Sequence, residues 1–439
     1  MSDIITNALQ ATGISELNEM QQTSLRANES GRDIVLLSPT GSGKTLAFLL
    51  PLLKQMKRGI DTIQALVIAP SRELALQIEE VFRSLKSDFR ITCCYGGHPF
   101  EVEKNALTSH PDLLVGTPGR ILDHIKQQSF SPESIKFLVL DEFDKSLELG
   151  FQKEMEAVIA QLTGVKKRMM LSATRAEEIP AFTKIHHPMV LDFLGNKETL
   201  QSLKVYSVQS PIKDKLETLL KLVCTIGNQP TLIFCNYRES VERIANFLKK
   251  NGLDCRMFHG GMEQVDREKS LFQFRNGTSY LLVSTDLASR GLDIPEIQNV
   301  VHYHLPINKE SYTHRNGRTA RMYAEGDAYL ILHGEEHLPD FLEGETIEPY
   351  ELPDEIGKPQ PSEWASIYIG KGKRDKLSKG DIAGFLMKKG ELGKDDLGRI
   401  EVKEQFSFAT VRRTKLHAIL QKVRGEKIKG MKTIFEEAK

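Results

Sequence analysis

The chain has 439 residues, 40% of them hydrophobic, and carries 59 Lys and Arg against 59 Asp and Glu, a formal net charge of zero. That length exceeds one typical domain and predicts two large domains with a small third. Five cysteines without a Cys-x-x-Cys pair read as reduced thiols of a cytosolic protein, Met1-Ser-Asp-Ile does not open a signal peptide, and no run of about 18 apolar residues marks a membrane span.

In chain order, the first strong element is the apolar run Ile34–Leu37, a predicted strand. It leads into Ser38-Pro-Thr-Gly-Ser-Gly-Lys-Thr45 and then the helix-like Leu46–Leu50. Strand, Gly-rich loop and helix start form the context of a phosphate-binding loop. Backbone N–H groups of Thr40, Gly41, Ser42 and Gly43 can curl around phosphate oxygens. Lys44 can reach the β/γ-phosphates, and the Thr45 hydroxyl can ligate Mg²⁺. Loop and flanks agree, so a chance Gly/Ser turn is the poorer reading, and a bound nucleoside triphosphate is expected.

Further strands are predicted over Ala65–Ala69, Asp112–Thr117, Phe137–Leu140 and Met169–Ser172. Phe137-Leu-Val-Leu-Asp-Glu-Phe-Asp144 ends a strand in carboxylates. Asp141 is placed to hold Mg²⁺ and Glu142 to orient or deprotonate the attacking water. Alone, the pair would read as surface acids; after a phosphate loop the catalytic reading is stronger. Between about Asp192 and Ser210 the strand patterns lapse, which puts the domain join there. A second series follows at Thr231–Cys235, Arg256–His259, Tyr280–Ser284, Asn299–Tyr303 and Ala328–Leu332. Val241, Ile244, Ala245, Phe247 and Leu248 form a helical stripe stopped by Asn251-Gly252. Continuous apolar strands alternating with helices predict parallel sheets covered on both faces. Tyr312–Arg321 places Arg315, Arg318 and Arg321 at three-residue spacing, hence on one predicted helical face. Such guanidinium forks suit transferring phosphoryl oxygens, nucleic-acid phosphates or a solvated face, and spacing alone does not choose.

Glu335–Ser362 carries nine acids against Lys358 alone, a net of −8, together with five prolines, and reads as domain edge plus linker. Glu363–Lys439 carries 19 basic against 11 acidic residues, a net of +8. A basic tail behind an acidic connector points to an anionic partner, with a solvated lysine-rich surface as the plainer alternative. Its predicted elements are the run Ile367–Gly370, a helix over Gly380–Lys388 and a strand over Phe406–Val411, a small α+β domain.

These motifs accumulate, in order, into a resemblance to the DEAD-box RNA helicases. Gly13–Gln21 resembles the adenine-reading Q motif, Ser38–Thr45 motif I, and Pro70-Ser-Arg-Glu-Leu-Ala75 with Gln77 motif Ia. Gly96-Gly97 and Thr117-Pro-Gly-Arg120 resemble the next two RNA-contacting motifs, Asp141–Asp144 motif II, and Ser172-Ala-Thr174 motif III. In the second half Leu232–Asn236, Gln264-x-x-Arg267, Ser284–Asp293 and His314–Arg321 follow as the family pattern predicts. The resemblance implies two RecA-like α/β domains, over 1–202 and 203–358, with ATP in the cleft and RNA across both. It assigns catalysis to Lys44, Asp141, Glu142, Arg318 and Arg321. Nucleotide binding falls to Gln21, Thr40–Thr45 and Asp293, and RNA contact to Arg72, Gly97, Thr117, Arg120, Arg267 and Thr285. A Gln21 amide offers the donor and acceptor that match adenine, which favours ATP over GTP. Three features depart from the pattern: Phe143 stands where alanine is usual, Ala320 where glycine is usual, and no aromatic is evident upstream of the Q motif.

The tail, over 363–439, resembles the RRM-like C-terminal domain of DbpA-type helicases through Ile367–Gly370, Gly372–Leu377, Gly380-Asp-Ile382, Leu397–Ile400 and Lys427–Gly430. That implies docking on a ribosomal RNA hairpin. Lys373, Arg374, Lys427 and Lys429 are candidates for phosphate contact. Tyr368, Phe406 and Phe408 could stack bases, although alternating strand aromatics more often form core. The expected protein is a cytoplasmic, monomeric, Mg²⁺- and ATP-dependent RNA helicase acting on a pre-ribosomal particle of the large subunit. The rivals are a DNA translocase, which Pro70–Ala75 and Gln264/Arg267 oppose, and a non-unwinding ATP-gated RNA clamp or scaffold, which Phe143 favours slightly.

Overall fold

Ile34-Val-Leu-Leu37 is buried at all four positions, the signature of a strand inside a parallel sheet with helices on both faces. In the computed structural model, which describes all residues except 1–2, 40, 98, 176–177, 195–202, 287–296, 318, 320–325, 356, 358 and 439, this strand is β1 of a seven-stranded sheet. Its companions are β2 (Ala65–Ile68), β3 (Ile91–Cys94), β4 (Leu113–Gly116), β5 (Phe137–Leu140), β6 (Lys167–Ser172) and β7 (Met189–Asp192). They lie in the order β3-β4-β2-β5-β6-β1-β7, and every pair is parallel. Register sets Leu37 of β1 beside Ser172 of β6, so their C-terminal ends emerge together. Ligands in open parallel sheets bind at such ends.

The chain divides into two compact units between β7 and the next strand. The second unit contains β8 (Leu203–Ser210), β9 (Thr231–Phe234), β10 (Cys255–Phe258), β11 (Leu281–Ser284), β12 (Asn299–His302), β13 (Gly326–His333) and β14 (Ile347–Pro349). Their order is β10-β11-β9-β12-β13-β8-β14, again parallel throughout. Ranked within each sheet, both orders read 3-4-2-5-6-1-7, so the two sheets repeat one wiring strand for strand. The fold is two RecA-like parallel-sheet layers followed by a small domain.

That small domain, within the second unit, is built from β15 (Trp364–Ile369), β16 (Leu397–Val402), β17 (Ser407–Arg412), the short hairpin β18 (Lys427–Ile428) and β19 (Met431–Lys432), and β20 (Phe435–Glu437). Its antiparallel sheet runs β16-β17-β15-β20. Alternation along β15 and β17 sends Ile367, Ile369, Ala409 and Val411 to one face, where Ile382 and Leu386 of one helix and Ile419 of another complete the core. The second helix, Leu416–Val423, and the strands β16 and β18–β20 come in addition to the elements expected there.

Four strands of the two parallel sheets run where the sequence shows no strand pattern: β3, β7, β8 and β14, the last only three residues long and largely exposed within the acidic Glu335–Ser362 segment. The expected lapse near 192–210 is in fact occupied on both sides by β7 and β8. β7 is an edge strand with Val190 55% exposed, so it shows no continuous apolar run. β8 runs Leu203-Lys-Val-Tyr-Ser-Val, with polar residues on both faces and buried valines three apart, so it shows neither a continuous apolar run nor a clean alternation. β3 is too short and mixed, Ile-Thr-Cys-Cys, to stand out. The five cysteines are all free thiols, and among the described residues no helix is long and apolar enough to cross a membrane.

Candidate nucleotide and RNA sites

Loop and helix start form as the sequence predicts: Gly41 and Gly43 adopt positive φ of 80° and 88°, and the helix Lys44–Gln55 begins at the lysine. Left-handed backbone at both glycines lets the chain reverse tightly over a phosphate. Ser38 Oγ donates to Ser42 Oγ at 2.6 Å, and the Lys44 Nζ donates to Ser38 O at 2.9 Å. Lys44 is only 8% exposed, so its ammonium is held over the loop rather than in water. Thr45 follows it, partly buried, and Thr40 lies outside the described residues.

Gln21, expected to read adenine, is bonded here to its own helix cap and to the glycine loop. It sits at the third position of the helix Glu19–Ala27, where Asn18 caps the helix and Gln21 Oε1 accepts from Asn18 N at 3.1 Å. Its Nε2 donates to Gly43 O at 3.2 Å, and Asn18 Nδ2 donates to Ser42 O at 3.0 Å. The capping box therefore braces the phosphate loop. An amide has a second hydrogen and a second lone pair with which to meet adenine. Asn18 was not singled out from the sequence; the Asn-x-x-Gln capping pattern was the available signal.

At the end of β5, Asp141 and Glu142 are 3% and 5% exposed. Burial, and then the Glu142 charge beside it, push the Asp141 carboxyl up to about 7, against the opposing pull of Lys44. Glu142 N donates to Asp141 Oδ1 at 3.0 Å. Glu142 itself takes φ 45°, ψ 52°, a left-handed conformation rare for a side-chain-bearing residue. Its Oε2 is buried with no hydrogen-bond partner among the described residues. A buried carboxylate beside an orphaned carboxylate oxygen, near a lysine and a helix N-terminal threonine, fits a hydrated divalent cation and a nucleotide phosphate. Thr174 Oγ1 donates to Asp144 Oδ2 at 2.8 Å, and Ser172 Oγ to Thr174 O at 2.7 Å, which ties the end of β6 to the acidic turn.

The RNA candidates of the first unit gather at the ends of β2, β3 and β4. Arg72 opens the helix Arg72–Ser84, and its guanidinium lies against Gly96 and Gly97, where any Cβ at Gly97 would collide with it. Thr117 caps the helix Pro118–Lys126. Arg120 is more enclosed than its assignment implies: it pairs with Glu103 at 2.7 Å and lies over the Phe100 ring. Beneath, His124 Nε2 meets the same Glu103 oxygen at 2.8 Å and stacks on Phe100. Nothing in the spacing of Phe100, Glu103 and His124 signalled this support.

In the second unit only Arg315 of the three arginines lies on a described helix. The helix Lys309–Asn316 ends before Arg318, and Arg315 is fully buried. Arg315 spends its donors internally, on Asp286, on Asn236 Oδ1 at 2.7 Å and on His304 O at 2.8 Å. It is a structural hub joining the ends of β9, β11 and β12. Arg318, Arg321 and Asp293 lie outside the described residues. Arg267, 5% exposed, is bonded to Gln264, and Thr285 ends β11 half-buried. After β8, where the first unit places its phosphate loop, stands Lys215. Its Nζ donates to Ile331 O at 2.9 Å and to Glu336 Oε2 at 2.8 Å, and that oxygen also accepts from His333 N at 3.1 Å.

The tail's strand aromatics form core, as alternating strand aromatics more often do. Phe406 and Phe408 are 7% and 0% exposed, covered by Phe272 from the helix Gln264–Arg275, with Tyr368 packed against the same cluster. Asn276 Nδ2 donates to Thr410 Oγ1 at 2.6 Å and to Ser366 Oγ at 3.1 Å beside them. The sheet face that would stack bases is thus spent on packing. The basic candidates fare otherwise. Lys373, Arg374, Lys427 and Lys429 are all exposed, and Lys429 Nζ donates to Lys376 O at 2.9 Å, which holds the β18–β19 hairpin against the 373–376 turn.

Comparison with known proteins agrees with this arrangement. Residues 18–182 match the DEAD/DEAH box helicase family, 214–323 the helicase conserved C-terminal domain, and 366–437 the DbpA RNA binding domain. The chain is 30% identical to the ATP-dependent RNA helicase DbpA of Bacillus subtilis (strain 168), covering 98% of this chain and 96% of that one. It is 31% identical to the DbpA of Escherichia coli (strain K12), over 97% and 96%. Among solved structures, Mss116p bound to ssRNA and AMP-PNP matches with a TM-score of 0.72 at 26% identity, over 81% of this chain and 78% of that one. S. cerevisiae Dbp5 bound to RNA and ADP BeF3 matches at 0.67 and 25%, over 76% and 88%. The chain therefore belongs to the DEAD-box family of ATP-dependent RNA helicases, ATP-hydrolysing enzymes, and ends in a DbpA RNA-binding domain.

Proposed function

We propose that this helicase acts on structured ribosomal RNA, most simply a hairpin gripped by its tail, during large-subunit assembly in the cytoplasm, and that it works as a monomer. The observation that carries the reading is the pairing of a DbpA RNA-binding domain with one exposed basic edge, Lys373, Arg374, Lys427 and Lys429, while the aromatic face is covered. Phosphate contacts from such an edge position a folded RNA without splaying its bases.

In this reading Lys44 and the loop Thr40–Thr45 hold the ATP phosphates, and Thr45 and Asp141 hold Mg²⁺, which neutralises charge on the transferring phosphoryl group. Glu142 orients the attacking water and takes its proton. Gln21 reads adenine, and Asp293 completes the nucleotide site. Arg318 and Arg321 stabilise the phosphoryl charge. Arg72, Gly97, Thr117, Arg120, Arg267 and Thr285 carry the RNA strand. Mg²⁺·ATP and RNA are the cofactor and partner of one cycle, with the pre-ribosomal particle as the larger partner.

The deciding experiment compares ATPase rates with ribosomal RNA fragments, unrelated RNA and DNA. Preferential stimulation by one ribosomal fragment supports the proposal. Equal stimulation by DNA overturns the RNA assignment, since the 2′-OH is the group that tells the two apart.

A further inference from the structure

We propose that Phe143 and Phe182 form a positioning pair that fixes Glu142 for ATP hydrolysis, an inference that rests on the reading of Glu142 as the water-orienting base. Phe143 follows Glu142 directly and stands where the family resemblance predicts alanine. It is 1% exposed, packed in the core cluster that includes Leu140, Met170 and Ile185. Its ring meets that of Phe182, with centroids 6.1 Å apart and planes tilted 41°. Phe182 belongs to the single 3₁₀ turn Ala181–Thr183 and is half-buried.

Two further observations give this contact a role. First, Glu142 holds φ 45° and ψ 52° while its own Oε2 has no partner among the described residues. A left-handed residue persists only where its surroundings impose it. Glu142 N donates to Asp141 Oδ1 and Glu142 O accepts from Ser146 N, both at 3.0 Å, so its backbone is held on both sides, and the buried Phe143 ring anchors the turn that follows it. Second, Asp144 binds Thr174, at the start of the segment that reaches Phe182. Neighbouring residues 143 and 144 thus hold both ends of the 174–182 segment, one by ring packing and one by a hydrogen bond. The acidic turn and that segment are coupled, and the turn carries Glu142. Alanine at 143 leaves a ring-sized void, and Phe182 is kept from filling it by its own short turn, where Thr183 Oγ1 donates to Pro180 O at 2.8 Å.

The test uses the full chain with Phe143→Ala, Phe182→Ala, the double variant, Phe143→Leu and Glu142→Gln. A misplaced reacting group costs rate without costing binding, so each alanine variant is expected to lower RNA-stimulated kcat by ~10–10²-fold. KM for ATP and the affinity for a non-hydrolysable analogue should hold steady. The double variant should be no worse than either single, and Phe143→Leu should recover most of the rate. Full kcat in both alanine variants, with Glu142→Gln inactive, overturns the pair. A parallel rise in KM with lost analogue binding, without leucine rescue, shows a role in stability alone and also overturns it. If Glu142→Gln turns over normally, the base assignment fails instead. Phe182→Ala, at a half-buried site, keeps the test open if Phe143→Ala does not fold.

Discussion

Phe272 of the second RecA-like layer and Phe408 of the tail sheet lie ring on ring, with centroids 4.9 Å apart and planes 18° from parallel. Both are fully buried. The tail is therefore packed onto the second sheet's unit by the face on which an RRM would stack bases, which leaves the exposed basic edge as its proposed RNA grip. Phe272→Ala is expected to weaken this packing by about 3 kcal/mol, as for other buried Phe→Ala changes. Protease resistance of the 355–362 linker measures it. Unaltered cleavage with an intact fold would show that the ring pair contributes little.

The basic edge predicts a selective loss. Lys427→Glu with Lys429→Glu should erase the preference for one ribosomal RNA while leaving the ATPase stimulated by unrelated RNA at its normal rate. Each lost phosphate contact lowers the salt slope of binding by ~0.7–0.9. Point changes are cleaner here than removing 363–439, which would bare Phe272. An unchanged salt dependence and RNA preference would move the grip elsewhere.

Lys44→Ala should abolish hydrolysis and weaken ATP binding by at least ~10-fold, because the loop loses its only lysine at the phosphates. Glu142→Gln should differ in kind: normal ATP and RNA binding, with turnover stalled. The two variants measured side by side by analogue binding and by phosphate release separate the roles.

Asp141 predicts a pH dependence. Its folded-state pKa is raised to about 7 from an ordinary value near 3.8, chiefly by burial. A raised carboxyl means the folded protein holds a proton that the unfolded chain has released between about pH 4 and 7. Stability of the nucleotide-free protein therefore falls as pH rises through that window, and the loss is complete above it. Asp141→Asn removes the charge, so it should raise the melting temperature at pH 8 and do so much less at pH 4. Mg²⁺·ATP needs the carboxylate, so its affinity should weaken as pH drops below 7. A melting difference that is the same at both pH values would show that the buried charge is not the cause.

Arg318→Ala and Arg321→Ala test the proposed phosphoryl role. Arg315 is kept out of it by its own bonds, since its guanidinium is engaged by Asp286, Asn236 and His304. Each of the other two changes should cut RNA-stimulated ATPase by at least ~10²-fold with ATP binding preserved. Full turnover at saturating RNA, with weakened RNA affinity, would make them nucleic-acid contacts.

What was legible in the sequence follows physical lines. Fully buried strands such as Phe137–Leu140 announce themselves because both faces demand apolar side chains. The phosphate loop is legible because glycine, lysine and threonine must stand in fixed order along one stretch. β8 was missed because Lys204, Ser207 and Gln209 interrupt its apolar residues on both faces, and β7 because an edge strand is hardly buried. Support made across the fold left no local trace. Glu103 beneath Arg120 and Phe272 over Phe408 come from segments whose own periodicity says nothing of their targets. At Arg315 spacing alone could not tell a phosphate ligand from the buried hub that the side chain forms with Asp286, Asn236 and His304.

The shared strand order of the two sheets sets two lysines in equivalent places. Where β1 leads to Lys44, the lysine proposed for the ATP phosphates, its counterpart β8 leads to Lys215, which binds Glu336, whose oxygen also takes the backbone N–H of His333. A lysine and a main-chain amide converging on one anionic oxygen is the bonding of a phosphate cradle, with the anion supplied by the chain. The duplicate has internalised its counter-ion, and its loop, Ser210-Pro-Ile-Lys-Asp-Lys215, has no glycine with which to wrap another. The lysine after β8 is thus committed to a carboxylate of its own chain, whereas the lysine after β1 is bonded only to a main-chain carbonyl, Ser38 O, among the described residues.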